Sequence, residues 1–272
     1  MAGTNGMDAG ADRKAVFISG AGAGIGRRTA ELFAEHGWFV GLYDIDAAAV
    51  AAARAEIGPD SCVDGRVDVT DPASWQEALA AFVAASGGRL HVLFNNAGII
   101  AAGRLDEVPA ERHKQVLDVN VAGVVFGSQA AYPHLKATPG SRVINMCSAS
   151  AIYGQPDIAV YSASKFAVHG LTEALDLEWR KDGIRVMAIW PLWVKTALSD
   201  AAVAGASKST STLGVRLTTD DVAAAVFEAA NYDGRLPKTH WRVGWQTNLL
   251  ATASHLGPGF ASRWVVGRLT GA

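Results

Sequence analysis

Several things are scarce in this chain, and each shortage excludes a class of answer. Two cysteines, Cys62 and Cys147, occur in 272 residues. They stand far apart and make no disulfide framework, which points to a reducing compartment. The seven histidines are scattered, without His-x-x-x-His or Cys/His spacing, so no metal is expected. Net charge is only −2, which offers no basic stripe for nucleic acid and no patch for an anionic membrane. No apolar run approaches the roughly 18 residues of a membrane helix, and no basic-then-apolar leader opens the chain. A cytoplasmic protein without a membrane span is expected.

What is present is core-forming material: half of the residues are hydrophobic. The length suits one large α/β domain. Residues 1–12 lack periodicity and read as a disordered leader. Short apolar runs at 15–18, 38–43, 62–69, 90–94, 142–147, 183–189 and 240–243 read as strands. Between them lie helical patterns at 27–36, Ala47–Ile57, 72–86, 108–136, 160–180 and 219–230. This alternation predicts a Rossmann-type, doubly wound parallel sheet of about seven strands, with right-handed crossovers and helices on both faces. A single dinucleotide-binding domain over 13–245 follows. The tail, 246–272, packs on that domain or on a neighbouring subunit.

The first turn carries Ser19-Gly20-Ala21-Gly22-Ala23-Gly24-Ile25-Gly26 between a strand and a helix. Glycines there let backbone approach a pyrophosphate, and the helix start offers unpaired N–H groups. The second strand ends in Asp44, twenty residues after Gly24. A carboxylate at that distance suits a ribose 2′-OH and repels a 2′-phosphate, so NAD is favoured over NADP. Arg27 and Arg28 lie beyond the glycines, on the helix surface. Asp68 and Val69, closing the third strand, are placed to border an adenine. Asn96, Ala97 and Gly98 follow the fourth strand, at the end where such sheets bind ligands.

Tyr161 and Lys165 sit four residues apart, a turn apart on one helix face. A fixed ammonium in a partly closed cleft favours the phenolate and makes the phenol a useful acid–base group. Ser148, at the end of the fifth strand, can meet that helix after a short loop. Cys147 reads as strand packing rather than as a nucleophile. Tyr-x-x-x-Lys alone fits an ordinary aromatic and a solvated lysine equally well.

In series, these motifs resemble the single-domain short-chain dehydrogenase/reductase family. The turn at 19–26, Asn95-Asn96-Ala97-Gly98, Asn120-Val121-Ala122-Gly123, Ser148 and Tyr161-Ser162-Ala163-Ser164-Lys165 appear in order, and the resemblance spans residues 14 to about 245. It implies that Tyr161 is the general acid/base and that Lys165 lowers its pKa and bonds the nicotinamide ribose. Ser148 would orient the carbonyl, and Asn120 would distort its helix and hold a water near the lysine. Pro191, Val194 and Thr196 would contact the nicotinamide carboxamide. Ser19 replaces the family's Thr, and Leu192 replaces its Gly after Pro191.

The activity expected is interconversion of a secondary alcohol and a ketone on an apolar or aromatic small molecule. Ile99, Ile100, Ile152, Tyr153, Trp190, Leu192 and Trp193 adjoin the motifs and would line the substrate pocket with Ser148 and Tyr161. The Ala/Ser/Thr/Gly-rich stretch 197–217 suggests a lid. Helices around 110–136 and 160–180 carry apolar residues on more than one side, and the resemblance implies pairing into a homodimer or homotetramer. Two rivals are a non-catalytic dinucleotide-binding regulator and a sugar-nucleotide epimerase or dehydratase. The intact Ser/Tyr/Lys set weighs against the first, and the short C-terminal region against the second.

Overall fold

A computed structural model describes residues 13–196, 198, 214 and 216–256. The leader at 1–12, most of the suggested lid at 197–217 and the tail beyond 256 lie outside the described residues. Strands β1 (Ala15–Ser19), β2 (Phe39–Asp44), β3 (Cys62–Arg66), β4 (Val92–Asn95), β5 (Arg142–Met146), β6 (Arg185–Pro191) and β7 (His240–Val243) form one sheet. Its order is β3-β2-β1-β4-β5-β6-β7, and every pairing is parallel. The chain winds outward from β1 in both directions, which opens a crevice beyond the carboxyl ends of β1 and β4.

The central strands are apolar on both faces because helices cover both. Val16 and Ile18 of β1 pack with residues of α1 (Gly24–Glu35), α2 (Ala47–Ile57) and α7 (Thr219–Ala230). Ala15 and Phe17 point the other way, toward α3 (Pro72–Ala85), α5 (Gly123–Ala137) and the end of α6 (Ala159–Trp179). Phe17 stacks on Tyr43 with ring centroids 4.3 Å apart and meets Phe82 edge-on at 5.5 Å. Such rings dominate core energetics through their buried area and their geometry.

Capping side chains set three of the helix starts. The Asp46 carboxylate accepts from the N–H groups of Ala48 and Ala49 at the head of α2, and Asp71 accepts from Ala73 at the head of α3. Thr218 and Asp221 form a reciprocal capping box on α7. The start of α1 has no side-chain cap and no acidic residue in its first turn.

Several boundaries differ from the sequence reading, three of them with consequences for the site. β3 stops at Arg66 instead of 69, because Ser74 takes the N–H of Asp68 and turns the chain into α3. β6 runs two residues later than 183–189. The single helix expected over 108–136 is α4 (Ala110–Leu117), a π-helical turn at Asp118–Ala122, and then α5. After β7, residues Trp245–Leu256 form a helix, α8, where the sequence showed no clear pattern. No helix among the described residues is long and apolar enough to cross a membrane.

Candidate active site and dinucleotide cradle

The turn between β1 and α1 is built from contacts that only hydrogen atoms permit. A Cβ on Gly26 would lie 2.1 Å from the Gly20 carbonyl oxygen, and one on Gly20 would lie 2.9 Å from Ala97 Cα. Gly20 and Gly24 also hold positive φ, at 69° and 55°. The uncapped first turn of α1 therefore presents Ala23, Gly24 and Ile25 directly to a cavity of about 630 Å³. A helix start left without its own acid or cap is a seat for an anion.

Asp44 stands opposite. Its Oδ2 accepts from the Gly22 N–H at 2.9 Å and its Oδ1 from the Asp46 N–H at 3.1 Å, which fixes the carboxylate at the cavity wall. Asp68 also lines the wall, and hydrogen bonds from Thr70 hold its carboxyl below the usual range. Arg27 is engaged by Glu31 at 2.7 Å and Glu56 at 2.6 Å; Arg28 bonds Asp220 at 2.6 Å and Glu35 at 2.8 Å. Both guanidinium groups are thus committed to carboxylates.

Ser19 acts differently from the sequence reading. Its hydroxyl is buried and accepts from the N–H groups of Asn96 at 3.1 Å and Ala97 at 3.3 Å. Asn96 returns bonds from Nδ2 to the carbonyls of Ser19 and Gly20. Ser19 therefore fastens β1 to the turn after β4 and does not line the cavity. Gly22 and Gly26 likewise lie behind the wall, as spacers.

Asn120 is fully buried in the π-helical turn, so the helix is distorted at that residue as the resemblance implied. Its Oδ1 accepts from the Ile99 N–H and its Nδ2 donates to the Ile99 carbonyl, both at 2.9 Å; Nδ2 also reaches Ser164 Oγ at 3.1 Å. The side chain is spent on holding the strand-four turn and makes no bond to Lys165.

Ser148 and Tyr161 both line this cavity, with the Ser148 hydroxyl close enough to act on the phenol. Ser148 Oγ also lies 3.2 Å from Ser150 Oγ and accepts from the Ser150 N–H. Lys165 Nζ donates to the Met146 carbonyl at 2.9 Å and sits 5.5 Å from the centre of the Tyr161 ring. The ammonium does not win the electrostatic contest expected from the spacing. Burial pushes the phenol up to about 12, with the Ser148 hydroxyl opposing it, and burial drives the lysine down to about 8. Desolvation disfavours both charged forms, since the two residues are only 8% and 4% exposed.

The cavity wall also includes Asn96, Ala97 and Gly98, with Val69 below them. Pro191, Leu192, Trp193, Val194 and Thr196 line the other side, so the segment keeps its course past the cavity with Leu192 in place of glycine. Ile99 and Ile100 are in the wall; Ile152, Tyr153 and Trp190 are not. Ile152 packs instead with Val124, Ala151 and Val168, because the loop after β5 turns its side chain inward. Among the wall residues that went unread is Gln155, buried, with Nε2 bonded to Ser150 Oγ at 3.0 Å. A lone glutamine in a loop leaves no periodic or motif signal.

A doubly wound parallel sheet, with a glycine turn feeding an uncapped helix and a buried hydroxyl–phenol–lysine group beyond it, defines a dinucleotide-dependent oxidoreductase. The cradle fits a nicotinamide dinucleotide, since the uncapped helix start at Ala23, Gly24 and Ile25 and the Asp44 carboxylate line one cavity with Ser148, Tyr161 and Lys165. Residues 14–206 match the family described as short chain dehydrogenase. The chain is 36% identical over 187 residues to a 3-alpha-(or 20-beta)-hydroxysteroid dehydrogenase of Mycobacterium bovis, covering 69% of this chain and 71% of that one. It is 35% identical over 189 residues to a meso-2,3-butanediol dehydrogenase of Serratia marcescens, covering 70% and 74%. A short chain dehydrogenase/reductase from Burkholderia phymatum, solved in complex with NAD, superposes with a TM-score of 0.79 at 29% identity, covering 90% of this chain and 93% of that one. The chain belongs to the short-chain dehydrogenase family and is an enzyme acting on CH–OH groups.

Proposed function

We propose that this enzyme uses NAD(H) to interconvert a secondary alcohol and a ketone on an apolar or aromatic small molecule, with Tyr161 as the general acid/base. The observation that carries the reading is one cavity lined by Ser148, Tyr161 and Lys165 together with the glycine turn and Asp44. The dinucleotide, when bound, supplies or accepts the hydride. Tyr161 gives its proton to the carbonyl oxygen in reduction and takes it back in oxidation. Ser148 holds that oxygen and stabilises its developing charge. Lys165, tied to the Met146 carbonyl, keeps a cation or its lone pair beside the phenol and bonds the nicotinamide ribose. Asn120 fixes the Ile99 backbone that walls the site.

NAD is favoured over NADP by two features. Asp44 offers a carboxylate where a 2′-phosphate would sit, and the nearby arginines are already paired. An apolar substrate is favoured by Ile99, Ile100, Leu192 and Trp193 in the wall, where Lys165 is the only basic side chain among the described residues. The hydroxysteroid and butanediol enzymes among its relatives are, by name, dehydrogenases of hydroxyl-bearing substrates. Exposed Leu117, Val125, Phe166 and Leu177 on α4 to α6 support assembly into a homodimer or homotetramer. Two free, buried cysteines accord with the cytoplasm. The test is NADH absorbance with a panel of secondary alcohols and ketones, with NAD and NADP in parallel. Turnover confined to anionic acyl carriers would defeat the apolar reading, and clear NADP preference would defeat the Asp44 argument.

A further inference from the structure

Outside the cleft, three side chains converge that the proposed chemistry leaves unused. His169 and Glu173 lie one turn apart on α6, and His240 opens β7. Glu173 Oε1 lies 3.2 Å from His169 Nε2 and 3.0 Å from His240 Nε2, and all three potential ligand atoms fall within 4.8 Å of one another. We propose that His169, Glu173 and His240 form a binding site for a divalent transition ion of the zinc type, which fastens the edge strand β7 to α6.

The donor set and its geometry both support this. Two imidazoles and one carboxylate suit borderline ions such as zinc, and they leave a fourth position to water. A tetrahedral ion with bonds of about 2.0–2.1 Å separates its ligands by roughly 3.3 Å, close to the two nitrogen–oxygen spacings found. Both imidazoles aim the same nitrogen at one carboxylate oxygen. Their rings are held there by Trp190, whose ring centre lies 4.8 Å from each. The other nitrogen of His240, Nδ1, is buried with no partner among the described residues, so Nε2 is that ring's polar anchor. Glu173 remains half exposed, which gives an ion a way in. The sequence showed no ligand spacing because His240 stands 67 residues beyond Glu173, on a different element.

The experiment uses full-length, untagged protein stripped with a chelator and titrated with cobalt(II), whose d–d absorption reports coordination by protein ligands. One equivalent is expected to bind with visible absorption, and His240→Gln and Glu173→Gln should each abolish that signal. His36→Gln, on the opposite face of the sheet, should retain it. Zinc at about a hundred times its Kd should raise the Tm by roughly 5–10 °C in the unaltered protein and not in the two variants. Metal-free melting of each variant confirms that it folds, and Glu173, being on the helix surface, secures the test if His240→Gln does not. Absence of stoichiometric cobalt binding, or binding that survives both substitutions, overturns the site and leaves a plain hydrogen-bonded trio. Either result stands apart from dehydrogenase activity.

Discussion

Lys165 Nζ lies 5.5 Å from the centre of the Tyr161 ring, and Ser148 lines the same cavity, so the proton donor, its amine and the group that steadies the substrate oxygen share one wall. Tyr161→Phe removes the proton and keeps the ring. Turnover should fall by roughly 10²–10⁴, while NADH affinity, followed by fluorescence, changes little. Activity near that of the unaltered enzyme would end the assignment.

Asp44 holds one face of the cradle through the Gly22 N–H. Asp44→Ser should weaken NADH binding by roughly 10–100-fold, the worth of a hydrogen bond to a charged group, and should narrow the gap to NADPH. Calorimetric titration of both dinucleotides decides this. An unchanged ratio would show that selectivity lies elsewhere.

Lys165 bears a cost of burial. Its folded-state pKa of about 8 lies below the ordinary 10.5, so the native state is penalised wherever the amine must be charged. That penalty is fully present below pH 8 and fades as pH rises toward 10.5. Lys165→Met should therefore be inactive yet no less stable at pH 7, gaining on the order of 1–3 kcal/mol. The gain should shrink in melts above pH 8. A large loss of stability would mean that the Met146 bond outweighs desolvation.

Because burial lifts the Tyr161 phenol to about 12, the group is protonated at neutral pH. Alcohol oxidation, which needs the base form, should accelerate as pH rises from 7 toward 10. Ketone reduction, which needs the acid form, should not. Rate profiles in the two directions check the sign. Oxidation that slows with rising pH would rule out Tyr161 as the base.

Phe166 and Leu177 are exposed apolar residues on α6, at 43% and 68%. Charging both, as Phe166→Glu with Leu177→Glu, should dissociate a dimer or tetramer in light-scattering chromatography. An unchanged mass would place the subunit contact on another face.

The order of strands and the cradle were legible in the sequence because their signals are local. A glycine turn between an apolar run and a helix, or Asp44 ending a strand, needs no knowledge of distant neighbours. What escaped depends on partners far along the chain. Ser19 looks like a ligand-facing hydroxyl until the turn at Asn96 and Ala97 claims it. Asn120 is visible as a polar residue in a helix, but its bonds to Ile99 are not. The phenol–ammonium spacing was read from the sequence, whereas the direction of the phenol's shift was not, since desolvation is a property of the whole surround. Ile152 was assigned to the pocket by proximity in sequence, and a loop turned it away.

One strand terminus suspends the whole reacting assembly. The Met146 carbonyl grips the lysine, and two residues onward Ser148 stands in the cavity beside the phenol. Helix α6 is in effect moored at one cleat, and the serine stands on the same quay. Enlarging a side chain beneath β5, such as Ile144→Phe, would tilt both together. Such a change would be felt as lost turnover in a protein that still folds and still takes up its dinucleotide.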